Sequence, residues 1–164
     1  MGGKLWYESL GNDSFKVQLI LYRDCAGIPA PTNTYINIQA ISIGYSQGGL
    51  LNFISSKEVT NYCTAALTQS SCNGGQLLGV QEYYYSGVVL FPQASDIILS
   101  YRLCTRSGLI TNLDNPSNYC MDIFCTANNL SFINSSSSKI HCWRILVSYN
   151  IQSFYVNIRI RICW

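Results

Sequence analysis

The sequence predicts an all-β protein, a sandwich or a barrel. Apolar residues recur with a period of two along several segments, and no convincing 3.6-residue amphipathic period occurs. Clusters of Gly, Pro, Asn, Asp and Ser separate those segments at short intervals, as expected for many short strands. No repeat of solenoid period is present.

The first elements are the clearest. In 15–23, Phe15, Val17, Leu19 and Leu21 point one way and Lys16, Gln18, Ile20 and Tyr22 the other, which is a strand with one buried face. Residues 5–10 form the strand before it, and Gly11-Asn12-Asp13-Ser14 is turn chemistry, so 4–23 reads as a hairpin. Pro29 and Pro31 mark a loop. Strands are expected at 34–43 and 50–55, and a long loop at 61–79 around Ser70-Ser71-Cys72-Asn73-Gly74-Gly75. Aromatic and β-branched strands follow at 82–91 and 96–104 about Pro92-Gln93, then a turn at Asn115-Pro116-Ser117-Asn118 and a strand at 119–127. Beyond the serine run 135–138, segments 143–149 and 154–162 are again β-like.

Composition narrows the class. Of 164 residues, 48% are hydrophobic and 11% charged, which supplies a core and argues against disorder. Twelve Tyr and many Asn, Ser and Thr make the surface hydrogen-bonding rather than charged. The net charge is +2 and the nearest thing to a basic cluster is Arg159 with Arg161, which reads as one solvated strand face; no nucleic-acid partner is expected. No run reaches the roughly 18 apolar residues of a membrane helix, so no membrane insertion is expected. No signal-peptide pattern follows Met1, so a targeting segment, if the protein is secreted, is expected upstream. Eight cysteines, an even count, favour an oxidising compartment, and their connectivity stays open among 105 possibilities. Without a CxxC pair, and with His141 the single histidine, zinc spacing is poor; no metal or cofactor is expected.

Three groups of residues could carry chemistry. Gly44-Tyr45-Ser46-Gln47-Gly48 matches the G-x-S-x-G elbow of α/β-hydrolases, with Asp114 or Asp122 and then His141 following in that fold's order; Ser46 would attack and His141 would take its proton. Against this, only 43 residues precede the motif, no HGGG-like oxyanion segment lies upstream, and the alternating helices are missing. The expectation is therefore a Gly-rich turn between two strands. Arg23-Asp24-Cys25 offers a single carboxylate, a poor calcium site, and is expected to satisfy backbone groups at a strand end. In Tyr83-Tyr84-Tyr85, alternation places Tyr83 and Tyr85 on one face and Tyr84 on the other. Tyr83 and Tyr85 are the binding candidates, on an aromatic face suited to stacking on a sugar or meeting a partner; ordinary sheet packing is the competing reading.

Several blocks together resemble a known family. Gly2-Gly3-Lys4-Leu5-Trp6-Tyr7, Phe15-Lys16-Val17 and above all Leu21-Tyr22-Arg23-Asp24-Cys25-Ala26-Gly27-Ile28-Pro29 resemble the amino-terminal domain of large secreted surface proteins of the Bacteroidetes, of the gliding-motility-associated or PKD-domain-containing type. Shorter matches include Glu58-Val59-Thr60, Cys63, Ser71-Cys72-Asn73-Gly74-Gly75, Cys104 with Arg106 and Ala127-Asn128-Asn129, so that the resemblance spans about residues 2–136. It implies an Ig-like β-sandwich, export by the type IX route and a role in surface attachment or adhesion, with other domains of a larger surface protein and surface polysaccharide as partners. It carries no catalytic residues. The family pattern has cysteines where Ser95 and Thr105 stand here, which leaves Cys25, Cys63, Cys72 and Cys104 as disulfide candidates.

The reading is thus an Ig-like sandwich over 1–138 with a divergent tail over 139–164, acting as a non-catalytic extracellular module. The alternatives are a secreted serine hydrolase using Ser46 and His141, and a carbohydrate-binding module using the tyrosine strand. Two structural expectations accompany it. Cys63 and Cys72 should form a local bridge closing the polar 61–79 loop, and 143–149 should pair with 154–162 as a hairpin docked on the sandwich.

Overall fold

A computed structural model describes residues 2–61, 63–104, 115, 120–130 and 145–148. The chain is an antiparallel β-sandwich with strands β1 (Gly2–Gly11), β2 (Ser14–Asp24), β3 (Asn33–Ala40), β4 (Tyr45–Glu58), β5 (Val80–Leu90), β6 (Ile97–Leu103), β7 (Cys120–Ala127) and β8 (Ile145–Ser148). Among the described residues, a four-residue helix, α1 (Thr64–Leu67), and 3-10 turns at Ile41–Ile43 and Ser71–Asn73 lie between strands. The hydrogen-bonded order is β1-β2-β5-β4-β3-β6-β7-β8.

That order is an Ig-like arrangement, with β1-β2-β5-β4 in one layer and β3-β6-β7 in the other. β4 joins the two. Its first half, from Tyr45 to Asn52, pairs with β3, and its second half, from Asn52 to Glu58, pairs with β5. The register shifts between Phe53 and Ser55, where a bulge turns the strand from one layer to the other.

The expected hairpin at 4–23 forms β1 and β2. Asn12 (φ 50°) and Asp13 (φ 58°) provide the two positive-φ residues that a tight hairpin turn needs, and Gly11 pairs with Ser14 across it. The inward residues of β2, Phe15, Val17, Leu19 and Leu21, are all buried, as the alternation requires. They meet Ile36 and Ile38 of β3, Ile97, Leu99 and Tyr101 of β6, and Met121 and Ile123 of β7 in one core. Leucines and Tyr101 therefore occupy the strands that an antibody-type domain would tie with its inter-sheet disulfide. The layers close tightly over β1: a side chain at Gly3 would collide with Ile123 and with the Ile20 carbonyl, and the Tyr7 hydroxyl donates to the Thr126 carbonyl at 3.3 Å.

Two expectations change in detail. The strand expected at 34–43 ends at Ala40, and its turn comes at Ile41–Ile43 with Gly44 in the left-handed region (φ 64°). Asp96 holds that turn by accepting from the Ser42 amide at 2.8 Å and from the Ser42 hydroxyl. Because the turn is complete at Gly44, the Tyr45-Ser46-Gln47-Gly48 stretch is strand and not turn, and β4 is far longer than the expected 50–55. In the tail, β8 pairs antiparallel with β7, Ile145 opposite Ile123 and Ser148 opposite Cys120, and so extends the second layer. Its expected partner at 154–162 lies outside the described residues.

Candidate functional site

One end of the sandwich is organised by Arg23. Its guanidinium donates to the carbonyls of Cys25 (3.1 Å), Gly27 (3.3 Å) and Ile28 (2.5 Å) and lies over the Tyr83 ring at 5.5 Å. Asp24 accepts from the Ala26 amide at 2.9 Å. The Arg-Asp pair thus satisfies strand-end backbone groups, as the sequence suggested, and the Asp24 carboxylate is turned to its own loop.

The disulfides differ from the expected local bridge. Cys72 pairs with Cys25, 47 residues away, and Cys63 is an exposed thiol. The sheet order explains the correction. β2 and β5 are neighbours, so the segment leading into β5 is laid against the end of β2, and the Cys25 amide donates to the Gly79 carbonyl at 3.0 Å. Cys63 stands at the far end of that loop, before α1. Cys104, the fourth candidate, pairs with Cys120 and ties the end of β6 to the start of β7.

The 59–79 connection is also held by Glu58. Its carboxylate accepts from the Thr60 hydroxyl and the Asn73 amide, both at 2.9 Å. Hydrogen bonds from Ser70, Thr60 and Asn73 hold the Glu58 carboxyl below the usual carboxylate range, against the opposing effect of desolvation. A depressed carboxylate stabilises above its unfolded pKa and ceases to do so as pH falls through its folded one. Amide protection across Ser70–Gly75, corrected for intrinsic exchange, should therefore be constant at neutral pH and fall on acidification below about pH 4. Glu58→Gln should abolish that acid dependence.

The tyrosine strand keeps its parity and reverses its faces. Tyr85 is fully buried and its hydroxyl donates to the Pro31 carbonyl at 2.8 Å; Tyr83 is partly buried and packs against the same core. Neither binding candidate is therefore on an open face. The outward residue is Tyr84, whose ring runs nearly parallel to Trp6, with planes 16° apart and centroids 6.3 Å apart. The Tyr84 hydroxyl donates to Gln18 Oε1 at 2.5 Å. Trp6 and Gln18 are directly opposite in register, Gln18 is opposite Ser86, and Ser86 is opposite Asn52. All four alternate with core residues, so a line of Trp, Gln, Ser and Asn crosses the outer face of the first layer. The period-two pattern separates Tyr84 from Tyr83 and Tyr85 but does not say which side is outward, and it lacks the register that aligns Trp6, Gln18, Ser86 and Asn52.

The hydrolase constellation finds no elbow. Ser46 lies in extended β4 opposite Gln39, where the nucleophile elbow demands a sharp strand-to-helix turn. Asp122 is engaged by Arg102, with Nε at 2.7 Å from Oδ1 and Nη2 at 3.1 Å from Oδ2. Asp114 and His141 lie outside the described residues. Among the described residues no three His, Cys, Asp or Glu side chains cluster as a metal site. No helix among them is long and apolar enough to cross a membrane.

No protein-family model matches the chain, and no curated protein or solved structure matches it.

Proposed function

We propose that this chain is a non-catalytic binding or structural module of a larger protein at the cell surface. The observation that carries the reading is a division within the fold. Among the described residues two disulfides staple strands at one end of the sandwich, and the outer face of the β1-β2-β5-β4 layer carries a nearly parallel Trp6–Tyr84 pair together with exposed Val88 and Leu90. Bridges of this kind suit an oxidising compartment, and exposed apolar side chains suit contact with a partner. Other domains of the same protein are the partners proposed for the apolar part of the face. The resemblance of the Tyr22-Arg23-Asp24-Cys25 region to secreted Bacteroidetes proteins supports type IX export and a part in adhesion or gliding; here that block builds the Arg23-centred loop that Cys72 is bonded to.

Cys63 provides the test. It is an exposed thiol, so a membrane-impermeant maleimide applied to intact producing cells should label the Cys63 peptide, and the Cys25 and Cys72 peptides should be recovered linked. Labelling that occurs only after lysis, with Cys25 and Cys72 recovered reduced, would refute a surface location.

A further inference from the structure

We infer that the outer face of the β1-β2-β5-β4 layer is a binding site for a neutral, linear polysaccharide, with Trp6 and Tyr84 as stacking residues and Gln18, Ser86 and Asn52 as hydrogen-bonding ones. This deepens the surface-module reading and rests on it.

Three features point to this ligand. The two rings lie nearly parallel on the outer side of one sheet, and paired aromatic rings of this kind are suited to packing against the C–H faces of pyranose rings. From Trp6 on β1 the line continues through Gln18, Ser86 and Asn52, an amide or hydroxyl on each of β2, β5 and β4, at the inter-strand spacing of about 4.8 Å. That interval is close to the length of one sugar unit in an extended chain, so a glycan lying across the strands would meet the Trp6 ring on β1 and a polar group on each of the next three strands. The line itself contains no charged side chain, which fits a neutral glycan rather than an acidic one or a nucleic acid.

The third feature is Gln18. It is 6% exposed, its Oε1 is taken by the Tyr84 hydroxyl, and its Nε2 has no acceptor in the protein. Buried amides in folded proteins are nearly always satisfied, so a donor left open next to two aromatic rings is where a ligand acceptor belongs. A sugar hydroxyl reaching between the rings would complete it.

The test is affinity electrophoresis of the whole chain, disulfides intact, through gels containing hydroxyethylcellulose, xylan or galactomannan. Migration should be retarded by at least one of them. Trp6→Ala and Tyr84→Ala should each weaken that retardation at least tenfold. Tyr35→Ala, which removes an exposed tyrosine on β3 away from the line, should not change it. Should Trp6→Ala fold poorly, Trp6→Phe replaces it: the tryptophan emission of the parent should change on adding the retarding glycan, and that change should vanish in the variant. No retardation by any of the three glycans, or equal retardation of parent, Trp6→Ala and Tyr84→Ala, overturns the site. Maleimide labelling of Cys63 on intact cells together with such a result would remove the glycan and leave the surface module standing.

Discussion

Replacing Cys25 and Cys72 together by serine should lower the unfolding free energy by about 4 kcal/mol in the chain-entropy treatment of a cross-link, whereas Cys63→Ser should leave it nearly unchanged. The size follows from the 47-residue separation of the pair, since the entropy withheld from the unfolded chain grows with the logarithm of the loop. The Cys104–Cys120 bridge spans only 16 residues and should contribute about 3 kcal/mol on the same footing. The first bridge also does local work. It fixes the segment before β5 to the end of β2, next to the carbonyls that Arg23 gathers. The single variant Cys25→Ser is less informative, because it frees Cys72 to react with the exposed Cys63. Guanidinium unfolding of parent, double variant and Cys63→Ser, each without reductant, separates these cases. A Cys63→Ser loss as large as that of the double variant would overturn the pairing.

The same two cysteines mark how far the sequence could be read. Alternation along Phe15, Val17, Leu19 and Leu21 is a local property, and it gave the correct buried face of β2. The turn at Asn12-Asp13 is equally local, because only a few residue types accept positive φ in succession. Pairing of Cys25 with Cys72 is not local. It depends on β5 lying next to β2, and β5 is reached only after two strands of the chain have been placed elsewhere. Nearness in sequence favoured Cys63, and the sheet order decided against it.

The candidate site was half legible for a related reason. Parity separates Tyr84 from Tyr83 and Tyr85, yet parity alone does not say which side is core. That choice is made by the neighbours: Leu19 of β2 is opposite Tyr85, and both face inward. Similarly, Trp6, Gln18, Ser86 and Asn52 are scattered over 81 positions' worth of chain and become one line only through three registers. The Gly44-Tyr45-Ser46-Gln47-Gly48 motif failed in the opposite sense. It was locally complete, and the strand it lies in gives its serine none of the backbone geometry that the motif stands for.

Tyr85→Ala should cost about 3–5 kcal/mol, the usual range for removing a large aromatic from a core. The ring is fully buried at the centre of β5, and it meets Phe53 edge-on with centroids 6.0 Å apart. Tyr85→Phe keeps the ring and deletes only the hydroxyl that bonds the Pro31 carbonyl, so it should cost about 1 kcal/mol. The hydroxyl also sets an alkaline limit. Burial first, then the neighbouring Tyr101 and Tyr83, raises its pKa from 10.0 to about 12, with Arg23 acting in the other direction. A raised pKa means that the folded state holds the proton more tightly than the unfolded chain does. The associated stability is complete below pH 10 and is lost as pH rises from 10 to about 12. Tyr22, also raised to about 12, chiefly by burial and next by its hydrogen bond to Glu82, adds to the same fall. Urea unfolding at pH 8 and pH 11 should therefore show a smaller loss for Tyr85→Phe than for the parent, with the remainder due to Tyr22. A Tyr85→Ala protein as stable as its parent would put this ring on the surface, and with it would exchange the two faces of β5.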